Sequence, residues 1–183
     1  MRTKISMMAA PTALSPGGYV GRAYADRTAP NTPVADLEVV RTRTGTWRIR
    51  LAWECAEAVR EIGDDVGRFV DAAAILAPST ADAPFMTMGA PGKAVDGLLW
   101  RADRVELLGV RAEGLGSVER RAAPDGWRVR PAWRGRRWQL DFTLPGWPDL
   151  EDQRRLAVAI WQGAEGDRAG LKSVCPGWIE LGA

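Results

Sequence analysis

The sequence predicts an all-β protein, a single-domain β-sandwich with short accessory helices, and three observations carry that prediction. From Thr46 the apolar residues alternate, with Trp47, Ile49, Leu51 and Trp53 on one face and Arg48, Arg50 and Glu54 among the residues on the other, the period of a half-buried strand. Short runs of the same kind recur along the chain between Gly, Pro and Asp turn signals. No apolar pattern at i, i+3, i+4, i+7 persists beyond about two turns, so helices are accessory.

The elements follow in chain order. Met1 to Lys4 is basic, Ile5 to Leu14 is mostly apolar, and Ala23-Tyr24-Ala25 resembles a cleavage site, so residues 1–30 read as an N-terminal arm or a degenerate export signal. Residues 31–183 read as the sandwich domain. After the strand from Thr46, Ala56–Ile62 is a short-helix candidate. Strands are expected at Phe69–Ala77, Val105–Ala112, Gly116–Ala122, Trp127–Arg130, Trp138–Leu144, Leu156–Gly163 and Trp178–Leu181, with a second short helix at Leu150–Arg155. The prolines gather in connections, notably Pro78 to Pro91 and Pro145 to Pro148, which makes those loops the expected carriers of function.

Composition narrows the chemistry. A chain of 183 residues fits one domain. With 25 Lys+Arg against 23 Asp+Glu, a net charge of +2 gives little electrostatic reason to expect a nucleic-acid partner. Histidine is absent, which removes the commonest metal and haem ligand together with the usual general base. Cys55 and Cys175 cannot form an iron–sulfur ligand set, and no C-x-x-C-H motif exists to attach a haem covalently; they are read either as a disulfide or as two buried thiols. No apolar run approaches the roughly 18 residues of a membrane span.

Two loops could carry chemistry. In Ala83-Pro-Phe-Met-Thr-Met-Gly-Ala-Pro-Gly92, Met86 and Met88 would face the same side if extended, and a thioether is a soft ligand suited to haem iron. The bland reading is that both methionines fill the core. The glycine-rich loop from Gly163 to Val174 carries Lys172, one of only three lysines beside Lys4 and Lys93 in a chain that otherwise uses arginine. A deprotonated amine can bind a metal and a guanidinium effectively cannot, although a solvated surface lysine is the ordinary expectation and the arginine bias itself fits a GC-rich genome. The pairs Asp64-Asp65 and Glu151-Asp152 read as solvated turns rather than catalytic carboxylates. The nine tryptophans read as core, with a sugar-binding face as the alternative. Nothing resembles a phosphate-binding loop or a nucleophile elbow.

Beside this reading stands a resemblance. Phe69 to Pro78, Phe85-Met-Thr-Met-Gly89, Leu99-Trp-Arg-Ala-Asp103, Leu156 to Gly163, Gly170-Leu-Lys-Ser-Val174 and Trp178 occur in an order that resembles the haem-b (γ) subunits of type II dimethyl sulfoxide reductase family enzymes. These are the γ subunits of ethylbenzene dehydrogenase, dimethylsulfide dehydrogenase, chlorate reductase and selenate reductase. The likeness runs over roughly residues 45–181, and Trp100 is all that remains of the family's tryptophan-rich element after the methionine.

The resemblance implies a non-catalytic electron-transfer subunit: a sandwich holding one non-covalent haem b per chain in a pocket formed by loops. Its iron would be bound axially by Met88, with Met86 as the fallback, and by Lys172. The implied partners are an iron–sulfur β subunit and a molybdopterin α subunit in a periplasmic heterotrimer, with an external cytochrome beyond it. Arg101 and Arg104 are candidate propionate partners. The competing readings are a carbohydrate-binding or adhesion sandwich without cofactor, and a stand-alone haem sensor or carrier.

Overall fold

The computed structural model describes residues 1–11, 27–63 and 67–182. In chain order its strands are β1 (Arg2–Ser6), β2 (Met8–Ala9), β3 (Val34–Arg41), β4 (Thr46–Glu54), β5 (Ala72–Pro78), β6 (Val95–Arg101) and β7 (Leu108–Ala112). There follow β8 (Glu119–Ala122), β9 (Arg128–Arg134), β10 (Arg137–Pro145), helix α1 (Pro148–Gln153), β11 (Arg155–Trp161), β12 (Ser173–Val174) and β13 (Ile179–Glu180). They form two antiparallel sheets, one of five strands in the order β1-β3-β4-β10-β9 and one of eight in the order β2-β12-β11-β5-β6-β7-β8, with β13 on β11. The expected all-β sandwich is the observed architecture.

The alternation legible from Thr46 becomes the inner face of the first sheet. Trp53 stands opposite Trp138, Leu51 opposite Leu140, Ile49 opposite Phe142 and Trp47 opposite Leu144, all of them buried. They meet Ala73, Ile75, Leu98, Trp100, Val158 and Ile160 from the second sheet in one core. Trp100 packs edge-on to Trp53 and to Trp138, with ring centroids 6.3 and 5.0 Å away. Aromatic edge-to-face pairs add about 1 kcal/mol each beyond the area they bury. Trp100 is therefore an inner-face core residue.

The two sheets are also tied by one polar group. Asp71, just before β5 and fully buried, accepts hydrogen bonds from Trp138 Nε1 (2.9 Å), Val59 N (2.9 Å) and Gly163 N (2.7 Å). Gly163 is required there, because a Cβ would lie 1.4 Å from the Phe69 carbonyl oxygen. A buried carboxylate with three N–H donors satisfies groups that would otherwise each cost free energy.

Several expectations are corrected. Strands β3 and β6 were not foreseen, because Val34–Arg41 mixes charges into its pattern and Val95–Arg101 contains Gly97. Ala56–Ile62 forms no helix among the described residues, whereas the second helix appears slightly earlier than expected, at Pro148–Gln153. Within the N-terminal segment, residues 1–11 are extended and join both sheets, β1 pairing with β3 and β2 with β12. The cleavage-site resemblance at Ala23-Tyr24-Ala25 and the pair Asp64-Asp65 lie outside the described residues. No helix among the described residues is long and apolar enough to cross a membrane.

Candidate functional site

Strands β5 and β11 are apolar on both faces, although the first sheet covers only one of them. A strand with one wet face should alternate apolar and polar residues; a continuous apolar run signals cover on both sides. Register shows what the second face holds. Met8, Val174, Ala159, Ala74, Leu99, Leu108 and Ala122 stand opposite one another across the outer face of the eight-stranded sheet. The neighbouring row on that face runs Trp161, Ala72, Arg101, with the Lys172 amine over the Trp161 ring at its end. Ala72, Ala74 and Ala159 make its middle flat and low, and Leu99, Trp161 and Met8 rise around it. Phe85 packs onto this second cluster from the methionine loop.

The methionine loop is a pinned turn rather than an extended segment. Met88 N donates to Phe85 O (3.0 Å), Gly89 N to Pro84 O (2.8 Å) and Gly114 N to Met88 O (3.1 Å). Gly89 has φ +88 and a Cβ there would meet Lys93 O at 2.7 Å, so glycine is needed for the turn to close. Met88 itself takes φ 55, a left-handed conformation uncommon for a non-glycine residue. The loop is anchored from outside by Trp178 Nε1 on Ala83 O (3.1 Å) and by Arg155 Nη2 on Ala81 O (2.7 Å), and Phe85 packs edge-on to Trp178 at 5.6 Å. The extended geometry in which Met86 and Met88 would share a side does not apply to this turn; Met88 is half-buried and Met86 is exposed.

Lys172 leaves the edge of the same face. It precedes β12 and is half-buried, with Nζ 5.4 Å from the Trp161 ring centroid and 3.3 Å from Ala169 O, to which it donates. Although part of its side chain reaches solvent, desolvation lowers the Lys172 pKa from 10.5, opposed in part by the charge of Asp167. Its loop is fastened by fully buried Asp167, which accepts from Gln162 N (3.0 Å) and Asn31 Nδ2 (3.0 Å) and pairs with Arg27. The only lysine not spent on the open surface is thus the one singled out by sequence; Lys93 is exposed and paired with Asp82, and Lys4 is exposed.

Other candidates resolve differently. Cys55 and Cys175 are buried free thiols, and burial pushes Cys55 up to about 12. Glu151 pairs with Arg41 on an exposed surface. None of the nine tryptophans is exposed, which leaves a sugar-binding face without its aromatic platform. Arg101 lies in the row of Lys172, its guanidinium bidentate on Asp103, while Arg104 is exposed. Trp100 points away from this face into the core. A polar cavity of about 470 Å³ bordered by Asn31, Glu54 and Arg136 shares no residue with the face. No group of three or more His, Cys, Asp or Glu among the described residues could hold a metal, so a metal here would need other donors. Phe85, Trp161 and the alanines of β5 and β11 were not read as site residues, although the unbroken apolar run Ala72–Pro78 is the signal that could have found them.

No protein-family model matches the chain. Among curated proteins it is 28% identical over 173 residues to a candidate respiratory nitrate reductase heme subunit, ORF7, of Haloferax mediterranei, a match covering 87% of this chain and 61% of that protein. It is 32% identical over 158 residues to chlorate reductase subunit gamma of Ideonella dechloratans, covering 75% of this chain and 60% of that protein. The chain spans about three-fifths of the length of these relatives. Likeness to a nitrate reductase heme subunit and a chlorate reductase gamma subunit, on an all-β sandwich, supports the resemblance to the haem-b γ subunits of type II dimethyl sulfoxide reductase family enzymes.

Proposed function

We propose that the chain is a non-catalytic electron-transfer subunit that seats one haem b against the outer face of the eight-stranded sheet, with Met88 and Lys172 as axial ligands and Met86 as the fallback. The observation that carries the reading is an apolar face with a flat alanine floor, bordered at one side by a pinned methionine turn and at another by a partly desolvated lysine. The residues fit such a group: a planar apolar ring system needs a low, dry floor, and a thioether and a neutral amine are iron donors that these two loops offer in the absence of histidine. Three strand spacings from Val174 to Leu99 give about 14 Å of floor, enough for a macrocycle. The expected pocket of loops thus becomes a sheet face closed by loops.

Bound there, the haem would supply a one-electron couple. The chain's own part is to hold it: Ala72, Ala74 and Ala159 keep the floor flat, Phe85 and Trp161 wall it, and the turn at Met88 fixes the sulfur. Desolvation favours the neutral amine of Lys172, the only form able to donate a lone pair. By likeness to the γ subunits, electrons pass between an iron–sulfur β subunit, beside a molybdopterin α subunit, and an external cytochrome, in the periplasm.

The test is a haem titration of the purified chain. A Soret band with a six-coordinate spectrum is expected, and Lys172→Arg should give a different, five-coordinate spectrum at neutral pH because guanidinium keeps its proton. Identical spectra for the two would remove Lys172 from the ligand set, and a Soret band that never departs from that of free haem would remove the haem. Co-purification from the native source tests the assembly: isolation without molybdenum and iron–sulfur subunits would favour a free carrier.

A further inference from the structure

Lys172, just before β12, and Trp161, at the end of β11, lie side by side and converge on one acceptor. Trp161 Nε1 donates to Ala169 O at 3.0 Å, and Lys172 Nζ donates to the same oxygen at 3.3 Å. Ala169 stands at φ 47 in a tight turn closed by Leu171 N on Arg168 O at 2.8 Å. A carbonyl oxygen has two lone pairs, so both donors are served. The indole ring meanwhile lies beneath the amine, 5.4 Å from its centroid, and a ring face attracts an ammonium.

From this geometry we infer that Trp161 is the positioning residue for Lys172, an inference that rests on the haem reading above. Its ring aims the lysine stem, and its N–H would hold the Ala169 turn in place when the amine leaves that carbonyl oxygen and gives its own lone pair to a metal. Release of the amine then breaks one long hydrogen bond and leaves the turn intact. Without the indole N–H, the same departure would leave the exposed Ala169 oxygen to water alone and free the turn to relax, carrying Lys172 with it. Trp161 lies on the outer face and is only half-buried, so replacing it leaves the core between the sheets untouched.

The experiment has a haem-free arm and a haem-loaded arm. The chain has three lysines, so ¹³C-lysine labelling gives three ε-CH₂ resonances. In the full haem-free chain, that of Lys172 should lie upfield of Lys4 and Lys93 through the Trp161 ring current and move to their position in Trp161→Leu. In the haem-loaded chain, Trp161→Phe keeps a ring but removes the N–H. It should lower the imidazole concentration that displaces the native ligand about tenfold, the size expected for one lost hydrogen bond. Unshifted Lys172 resonances in the wild type, or equal imidazole midpoints for wild type and Trp161→Phe, would overturn the positioning role. A haem spectrum unchanged by Lys172→Ala would instead sink the ligand assignment, and the lysine resonances would then decide the role of Trp161 on their own.

Discussion

The outer faces of the two sheets are built on the same alternation and end in opposite chemistry. On the five-stranded sheet the outward positions of β3, β4 and β10 carry Asp36, Glu38, Arg48, Arg50, Gln139 and Asp141, and Arg50 is paired with Asp141 (2.6 Å) and Glu38 (3.6 Å). On the eight-stranded sheet the outward positions of β5 and β11 carry Ala72, Ala74, Ala159 and Trp161. A charged face is complete in water, whereas an apolar one is stable only if something covers it. The difference teaches where to look: function lies on the face that departs from the polar outside of an ordinary sandwich.

The comparison is broken most sharply by one substitution made on each face. Ala159→Phe raises a ring from the alanine floor and should weaken haem binding about a hundredfold, in line with about 1–3 kcal/mol for overpacking a fitted surface. Ala132→Phe, on the outward side of β9, should leave haem affinity unchanged. Haem titration with unfolding curves for both haem-free proteins checks this. Equal effects would mean that the apolar face is not the seat.

Both faces depend on the sheets being locked in one arrangement, which Asp71 does. Asp71→Asn places an NH₂ group where a carboxylate oxygen receives an N–H, so at least one of Val59, Trp138 and Gly163 loses its acceptor. A loss of about 1–3 kcal/mol in urea unfolding is expected. A loss within error would show that water replaces the carboxylate.

Legibility in the sequence divides along the same line. The first sheet's alternation over Thr46–Glu54 and Arg137–Pro145 is visible because one face is wet, and strict period 2 is the clearest strand signal. β5 and β11 were found as apolar runs, but a run says only that both faces are covered and does not name the cover. Met88 and Lys172 were legible as chemistry. Neither the turn that holds Met86 and Met88 nor the meeting of Lys172 with Trp161 could be, because both arise from irregular loop geometry that the periods of strand and helix do not encode. Asp71 gave no signal either: a single acid before an apolar strand looks like a turn residue until three N–H groups meet it.

A smaller effect is expected from the charged face itself. Arg50→Ala removes both of its pairs, yet all three side chains are largely solvated, so the cost should stay within about 1 kcal/mol and shrink with added salt. A cost well above this, or one insensitive to salt, would give the charged face a structural part that the comparison denies it.

The smallest expected effect is the pH dependence that Lys172 gives the haem-free chain. Its folded pKa is lowered by burial, while in the unfolded chain it returns to its ordinary value near 10.5. Between those two values the unfolded state holds more protons, so stability rises with pH across the window. Below the lowered value the cost of burying the ammonium is present in full. Two thiols act the other way at alkaline pH: Cys55 and Cys175 titrate higher in the fold than in the unfolded chain, so from about pH 9 they give a stability that falls as pH rises. Comparing wild type with Lys172→Met cancels the thiols and isolates the lysine. The stability of the wild type relative to Lys172→Met should therefore climb as pH is raised toward 10.5, by a modest amount because the side chain keeps a solvent-facing side. If the Lys172 difference is flat across the same range, the amine is solvated in the free chain, and its desolvation would have to come from the haem itself.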